Sequence, residues 1–302
     1  MKVVRSHRNL AMLIALALIW GSSFLFIKVA VRELTPATLI VGRLGLAAIT
    51  LGLLVPFVVG SRETLRQLRA NWIWLVVVAL VNTAIPFWLL SWGETRIDSG
   101  LASIIQAAVP IFNALIAFVA FREVRVTGSR LVGVGVGFVG VALLVGAQPQ
   151  GKILGALAVV GMAFCYGLGG LLSGRYLHAA RPLVVSFAST AIATLVWLPV
   201  GIAEAPAHLP SWKTIGCVVA LGVPGTALAY LLFFGLITGA GAAYASLVTY
   251  LIPPIALAYG AIFLGERFGA AAFGGLALIL AGVALGTGAV GFARLRREPA
   301  RS

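Results

Sequence analysis

The side chains able to move protons or hold charge are few, with eight Asp and Glu and three His in 302 residues. Glu123 and Glu266 close two apolar runs, each beside an arginine, Arg122 and Arg267, while Glu94 and Asp98 flank a short turn with Arg96 between them. All four carboxylates read as solvated, paired end groups, which leaves no Asp, Glu or His in the core of an apolar run. A carboxylate relay of the proton-pump kind is therefore not expected. His7, His178 and His208 fall in tails or loops. That removes the HExxH metal motif and any serine–histidine pair inside an apolar run, and neither paired aspartates nor a Walker A sequence is present. No metal or other cofactor is expected. Cys165 and Cys217 lie in apolar segments without metal or redox spacing and read as packing residues.

What remains is a set of uncharged polar and aromatic groups within the apolar runs: Trp20, Ser22 and Ser23; Asn82 and Thr83; Gln106 and Asn113; Tyr166; Thr226 and Tyr230; Ser246, Thr249 and Tyr250. Each alone suits a hydrogen bond between helices. Together their hydroxyl, amide and aromatic groups suit recognition of a zwitterion or a moderately apolar small molecule. Arg43 is the one basic group well inside a run, about 9 Å from its start at ~1.5 Å per residue. Snorkelling of its long side chain to the interface is expected, with pairing to a substrate carboxylate the alternative. Lys28, near the end of its run, is also expected to snorkel.

The elements that must position these groups follow from composition. The chain is 61% hydrophobic and 10% charged, with a mean hydropathy of +1.08, where soluble domains carry about 25% charged residues. So few charges cannot coat a water-facing surface, so lipid is the solvent for most of the chain. The net charge of +14 is spread over short patches between apolar runs and does not read as a nucleic-acid face. A spanning helix needs about 20 apolar residues, and ten candidates meet that need: 10–31, 37–60, 72–93, 99–121, 127–146, 153–174, 183–202, 213–236, 241–264 and 270–292. MKVVRSHRN (1–9) is like the basic start of a secretory signal, but the apolar run after it reaches Val31. That exceeds the ~7–15 residues of a signal's apolar region, so a retained first span is expected. Lys and Arg number 15 on the side holding both termini and 6 on the other, which predicts cytoplasmic termini.

An internal echo organises the spans. AAVPIFNALIAFVAFRE (107–123) aligns with YLIPPIALAYGAIFLGE (250–266) at an offset of 143, placing Pro110 on Pro253 and Glu123 on Glu266. Ala102-Ser103 matches Ala245-Ser246 at the same offset, GVALLVG (140–146) matches GVALGTG (282–288) at 142, and Trp20-Gly21 and Pro36 match Tyr166-Gly167 and Pro182 at 146. The chain thus reads as an all-α membrane protein of two five-span repeats, 1–146 and 147–302. An odd number of spans inverts the second repeat, an arrangement that favours alternating access around a midplane site.

WGSSF near residue 20, the early arginine of GRLGLAA (42–48), the AS, Pro and GE or RE series of spans 4 and 9, and the Gly-rich GVAL spans closing each half belong together. With them the chain resembles, over nearly its whole length, the drug/metabolite transporter superfamily in its ten-span branch with paired EamA domains. The resemblance implies a bacterial inner-membrane carrier of small metabolites, with amino-acid and drug export best represented. It also implies a cavity between spans 1, 3, 4, 6, 8 and 9, away from spans 5 and 10, which would put the polar set on its wall. The first half departs from the pattern, with FRE (121–123) where the family has a Gly-Glu pair like Gly265-Glu266. The function expected is secondary transport of small neutral or zwitterionic metabolites, amino acids foremost, outward across the inner membrane. Partners would be the solute and the lipid bilayer; without a proton relay, a facilitator or exchanger is expected. Export of drugs or other metabolites is the alternative, a channel stays open as another class, and an intramembrane enzyme lacks its motifs.

Pro110, Pro253 and Pro254 lie near the middle of spans 4 and 9, with Pro86 and Pro224 inside spans 3 and 8. A mid-helix proline costs about 3 kcal/mol in water and less in a membrane where neighbours satisfy the freed carbonyls. These five positions read as packing kinks or as hinges opening on the cavity. The glycines of GVGVGFVG (133–140) and FGGLALILAG (273–282) let helix backbones touch, within each half or at a dimer face. Trp88 and Trp92 read as interfacial anchors.

Overall fold

The computed structural model describes residues 2–121, 128–149 and 152–286, and every regular element among them is helical. α1 (Lys2–Ala30) leads to α2 (Pro36–Val58), where Thr35 Oγ1 accepts from Thr38 N at 3.3 Å and Pro36 takes the first helical position, at which a missing N–H costs nothing. The short polar α3 (Ser61–Ala70) precedes α4 (Trp72–Ala79), a π-helical turn (Leu80–Ala84) and α5 (Ile85–Glu94). Next come α6 (Ser99–Gln106), α7 (Val109–Ile116), a second π-helical turn (Ala117–Phe121) and α8 (Gly128–Gly146). α9 (Ile153–Tyr176) and α10 (Pro182–Ala203) follow, then α11 (Trp212–Gly222), a third π-helical segment (Val223–Leu228) and α12 (Ala229–Ala240). The described chain closes with α13 (Ala242–Ala245), α14 (Val248–Leu264) and α15 (Ala270–Gly286).

Among the described residues, seven helices are long and apolar enough to cross a membrane: His7–Ala30, Pro36–Val58, Trp72–Glu94, Ser99–Val119, Ile153–Tyr176, Pro182–Ala203 and Trp212–Ala240. The other three expected spans appear as shorter apolar helices, Leu131–Gly146, Val248–Leu264 and Ala270–Leu285. The expected ends at residue 127 and at 287–292 lie outside the described residues. The expected run 241–264 is divided by tight turns, with Leu247 N bonded to Tyr244 O, Thr249 N to Ser246 O and Tyr250 N to Leu247 O. Pro253 and Pro254, one turn later, have no N–H to offer the carbonyls of Thr249 and Tyr250.

The same economy operates in span 4. Ala107 N and Ala108 N bond Ile104 O and Ile105 O at 3.1 and 3.0 Å, closing α6. Pro110 then occupies the second position of α7, directly after the turn at Ala107–Ala108 that interrupts the span Ser99–Val119. Pro86 and Pro224 are likewise second residues, of α5 and of the Val223–Leu228 segment, while Pro253 and Pro254 remain inside α14.

Packing runs largely between the two halves of the sequence. α2 lies on α10, α1 on α11, α12 and α14, α9 on α5 and α7, and α6 on α14. The glycine stripes let α8 and α15 pack on each other across the two halves, and Gly137 also sits against Ile111 of α7 within the first half. A Cβ on Gly282 would stand 2.6 Å from both Gly133 O and Gly137 N, a separation that only glycine permits.

Candidate functional site

The helix interruptions converge on a cavity of about 340 Å³. From α1, Trp20, Ser23, Phe24 and Ile27 face it, the i, i+3, i+4, i+7 series of one helix face. Asn82 reaches it from the first π-helical turn, followed by Phe87 and Leu90 of α5. Ser103, Gln106, Ala107, Val109 and Pro110 line it across the α6–α7 break. Tyr166 of α9, Gly225 and Thr226 of the third π-helical segment, Tyr230 and Phe233 of α12, and Thr249 and Ile252 of α14 complete the wall with Arg43 of α2.

Eight of the thirteen polar residues singled out in the sequence meet here: Trp20, Ser23, Asn82, Gln106, Tyr166, Thr226, Tyr230 and Thr249. Ser22, Thr83, Asn113, Ser246 and Tyr250 are not on the wall. Ser22 Oγ donates to Ile19 O at 2.9 Å, Asn113 Nδ2 donates to Gly167 O at 3.4 Å, and Thr83 is buried with an unpartnered hydroxyl. Of the prolines, Pro110 lines the cavity and Pro86, Pro224, Pro253 and Pro254 do not.

Arg43 departs from the snorkelling expectation. It is only 7% exposed, its Nε donates to Thr226 Oγ1 at 3.2 Å, and its guanidinium lies 4.5 Å over the Phe87 ring. The π-helical segment supplies the acceptor and α5 the aromatic face, so the side chain is held inward rather than drawn to the interface. Among the described residues no carboxylate ion-pairs with it.

Beyond Ile27 and Leu90 lies a polar cluster, where two further expectations are corrected. Lys28 Nζ reaches the turn after α5, donating to Glu94 O at 2.7 Å and to Ile97 O at 2.6 Å. Glu94 is not a solvated turn residue, because it ends α5 at 0% exposure and neither carboxylate oxygen has a hydrogen-bond partner. Glu266 is not paired with Arg267. Its oxygens accept from Ser99 N (2.8 Å), Ser99 Oγ (3.0 Å) and Gly100 N (3.1 Å), satisfying the free amides at the start of α6. Gly265, at φ +67°, ends α14 and turns Glu266 toward that target. The counterpart Glu123 lies outside the described residues.

The profile of the EamA-like transporter family matches residues 8–146 and again 153–287. The chain belongs to the EamA-like transporter family. It is a multi-pass membrane protein and a transporter. A probable terminal-alkyne amino-acid exporter of Streptantibioticus cattleyicolor is 26% identical over 88% of this chain and 89% of its own length. A probable amino-acid metabolite efflux pump of Escherichia coli is 25% identical over 92% and 94%. An uncharacterized transporter of Archaeoglobus fulgidus is 26% identical over 87% and 93%. One crystal structure superposes with a TM-score of 0.65 over 97% of this chain and 99% of the other, at 18% identity, a likeness of fold alone.

In this EamA-like transporter Trp88 has a packing role beyond interfacial anchoring. Its ring stacks on Trp197 at 5.5 Å and 6° and on Trp92 at 6.0 Å and 23°, and Trp197 Nε1 donates to Ala84 O at 2.9 Å. That bond fixes α10 against the end of the first π-helical turn. Sequence reasoning missed the apolar wall of Phe24, Ile27, Phe87, Leu90 and Phe233. The helical spacing of WGSSFLFI from Trp20 was the available signal for the first two.

Proposed function

We propose that this transporter is a ten-helix alternating-access carrier exporting small neutral or zwitterionic metabolites, amino acids foremost, across a bacterial inner membrane with both termini cytoplasmic. The observation that carries this reading is a buried Arg43 on a cavity wall of aromatic, amide and hydroxyl groups, to which no carboxylate among the described residues is ion-paired. A substrate carboxylate would complete the guanidinium, and its ammonium would meet Asn82, Gln106 and the hydroxyl groups. The cavity volume falls within the range of small-molecule sites, about 300–1,000 Å³. The exporter and efflux-pump names of two relatives point the same way.

Two inverted five-span repeats, 1–146 and 147–302, account for the packing. Exchanging the halves turns α1 on α14 into α9 on α7, turns α12 on α1 into α5 on α9, and leaves α2 on α10 and α8 on α15 unchanged. Such a pair gives two related conformations, one open to each side. The test is counterflow of labelled amino acids into liposomes holding purified protein and unlabelled solute. Saturable counterflow is expected; flux linear in concentration without counterflow would indicate a channel, and no flux of any amino acid would reject this substrate class.

A further inference from the structure

At the end of the cavity beyond Leu90, Lys28 chooses an unexpected acceptor. Its ammonium bonds the main-chain oxygen of Glu94 at 2.7 Å, together with Ile97 O at 2.6 Å, and forms no ion pair with the Glu94 carboxylate. That carboxylate is wholly buried, with both oxygens unpartnered. The charged groups whose fields act on it are Lys28 on α1, Arg43 on α2 and Glu266 after α14, while α9 turns Val159 and the Gly155 carbonyl toward the neighbouring Gly93. A buried carboxylate is normally paired or surrounded by donors.

We propose that Glu94 is a proton-binding site coupled to closure of this end of the cavity, a deepening that rests on the carrier reading above. With the end closed, Glu94 is a neutral carboxylic acid and Lys28 is held by carbonyls. Opening breaks the Lys28 bonds to Glu94 O and Ile97 O and admits water. The carboxyl O–H then gives its proton to that water, and the carboxylate left behind pairs with the freed ammonium. Closing reverses each step and takes up one proton. The site has no counterpart in a relay through the span cores; it is one group at one gate.

Two measurements on the purified full chain test this. Infrared difference titration of wild type against Glu94→Gln is expected to show a carboxylic-acid band lost in the variant; its absence at every pH would overturn the proposal. This readout needs no substrate, so it decides even if no amino acid is transported and the carrier reading fails. In liposomes, wild-type counterflow is expected to slow about tenfold from mildly acidic to alkaline buffer as the neutral acid is titrated. Glu94→Gln, fixed in the neutral form, should flatten that slope to under about twofold, and Glu94→Asp, which keeps the titratable group if the amide misfolds, should retain it. An unchanged slope in Glu94→Gln, or a response to sodium at fixed pH in place of the pH response, would overturn it.

Discussion

Arg43 Nε lies 3.2 Å from Thr226 Oγ1, and that hydroxyl passes its own hydrogen to Leu221 O at 2.8 Å. One edge of the guanidinium is thereby tethered across the interface of α2 with the third π-helical segment, while Phe87 supports its face. The charge is positioned by a hydroxyl and a ring rather than neutralised by an acid.

If that charge receives a substrate carboxylate, Arg43→Gln should raise the half-saturation concentration for amino-acid counterflow about tenfold to a hundredfold, as for a lost charged hydrogen bond of roughly 1.5–3 kcal/mol. Thr226→Val, which removes only the tether, should cost about 1 kcal/mol. Saturation at the wild-type concentration in Arg43→Gln would remove the arginine from the binding site.

The contact of α8 with α15 predicts a steric penalty. Gly282→Leu places a side chain against Gly133 O and Gly137 N, and overpacking of this kind costs about 1–3 kcal/mol or more. Thermal melting followed by the monodisperse peak in detergent should fall for Gly282→Leu and hold for Gly135→Leu, whose position is open. Equal melting of the two variants would contradict the packing.

Glu266 holds the first turn of α6 from a different part of the chain. Glu266→Ala should weaken that turn by about 0.5–2 kcal/mol, the range for lost N-terminal caps. Hydrogen exchange followed by mass spectrometry should show faster labelling of the peptide containing Ser99 and Gly100, with α10 unaffected. No change at Ser99 would mean that the amides find another acceptor.

Glu33, in the turn after α1, accepts from Ser211 Oγ and Ser211 N, both at 2.7 Å. The Ser211 side chain, then its amide, holds the carboxyl below its ordinary value. A lowered pKa in the folded protein stabilises at neutral pH, and that contribution is lost as acid protonates the group. Ser211→Ala should therefore melt lower than wild type at neutral pH. The gap should narrow as the pH falls below the ordinary glutamate value of about 4.3; a gap that persists in stronger acid would point to another cause.

The helical runs and eight of the wall residues were legible because both follow from local hydropathy and from polar types within it. The inward set of Arg43 was not, since depth alone favours the interface, and its direction depends on Thr226 and Phe87 from two other elements. Glu94 was misread for a related reason: WGETRIDSG has the composition of an exposed turn, and its first acid is buried by helices distant in sequence, α1 and α9, that pack on α5. The glycine stripes announced close packing but carried no record of the partner: Gly282 meets Gly133 and Gly137, and Gly140 meets Gly275 and Ile279, pairings that the repeat offset does not give.

The π-helical turn at Leu80–Ala84 also has a consequence for phase. Asn82 and Phe87 are five residues apart, and at about 100° per residue a regular α-helix would set them roughly 140° out of register. Ile85 N instead bonds Leu80 O, five residues back, and this wider winding brings an amide and an aromatic ring onto one cavity. The span therefore behaves as two amphipathic frames joined by a one-residue slip. Shortening it by a single residue would preserve a helix and its hydropathy while rotating the polar frame away from the aromatic one.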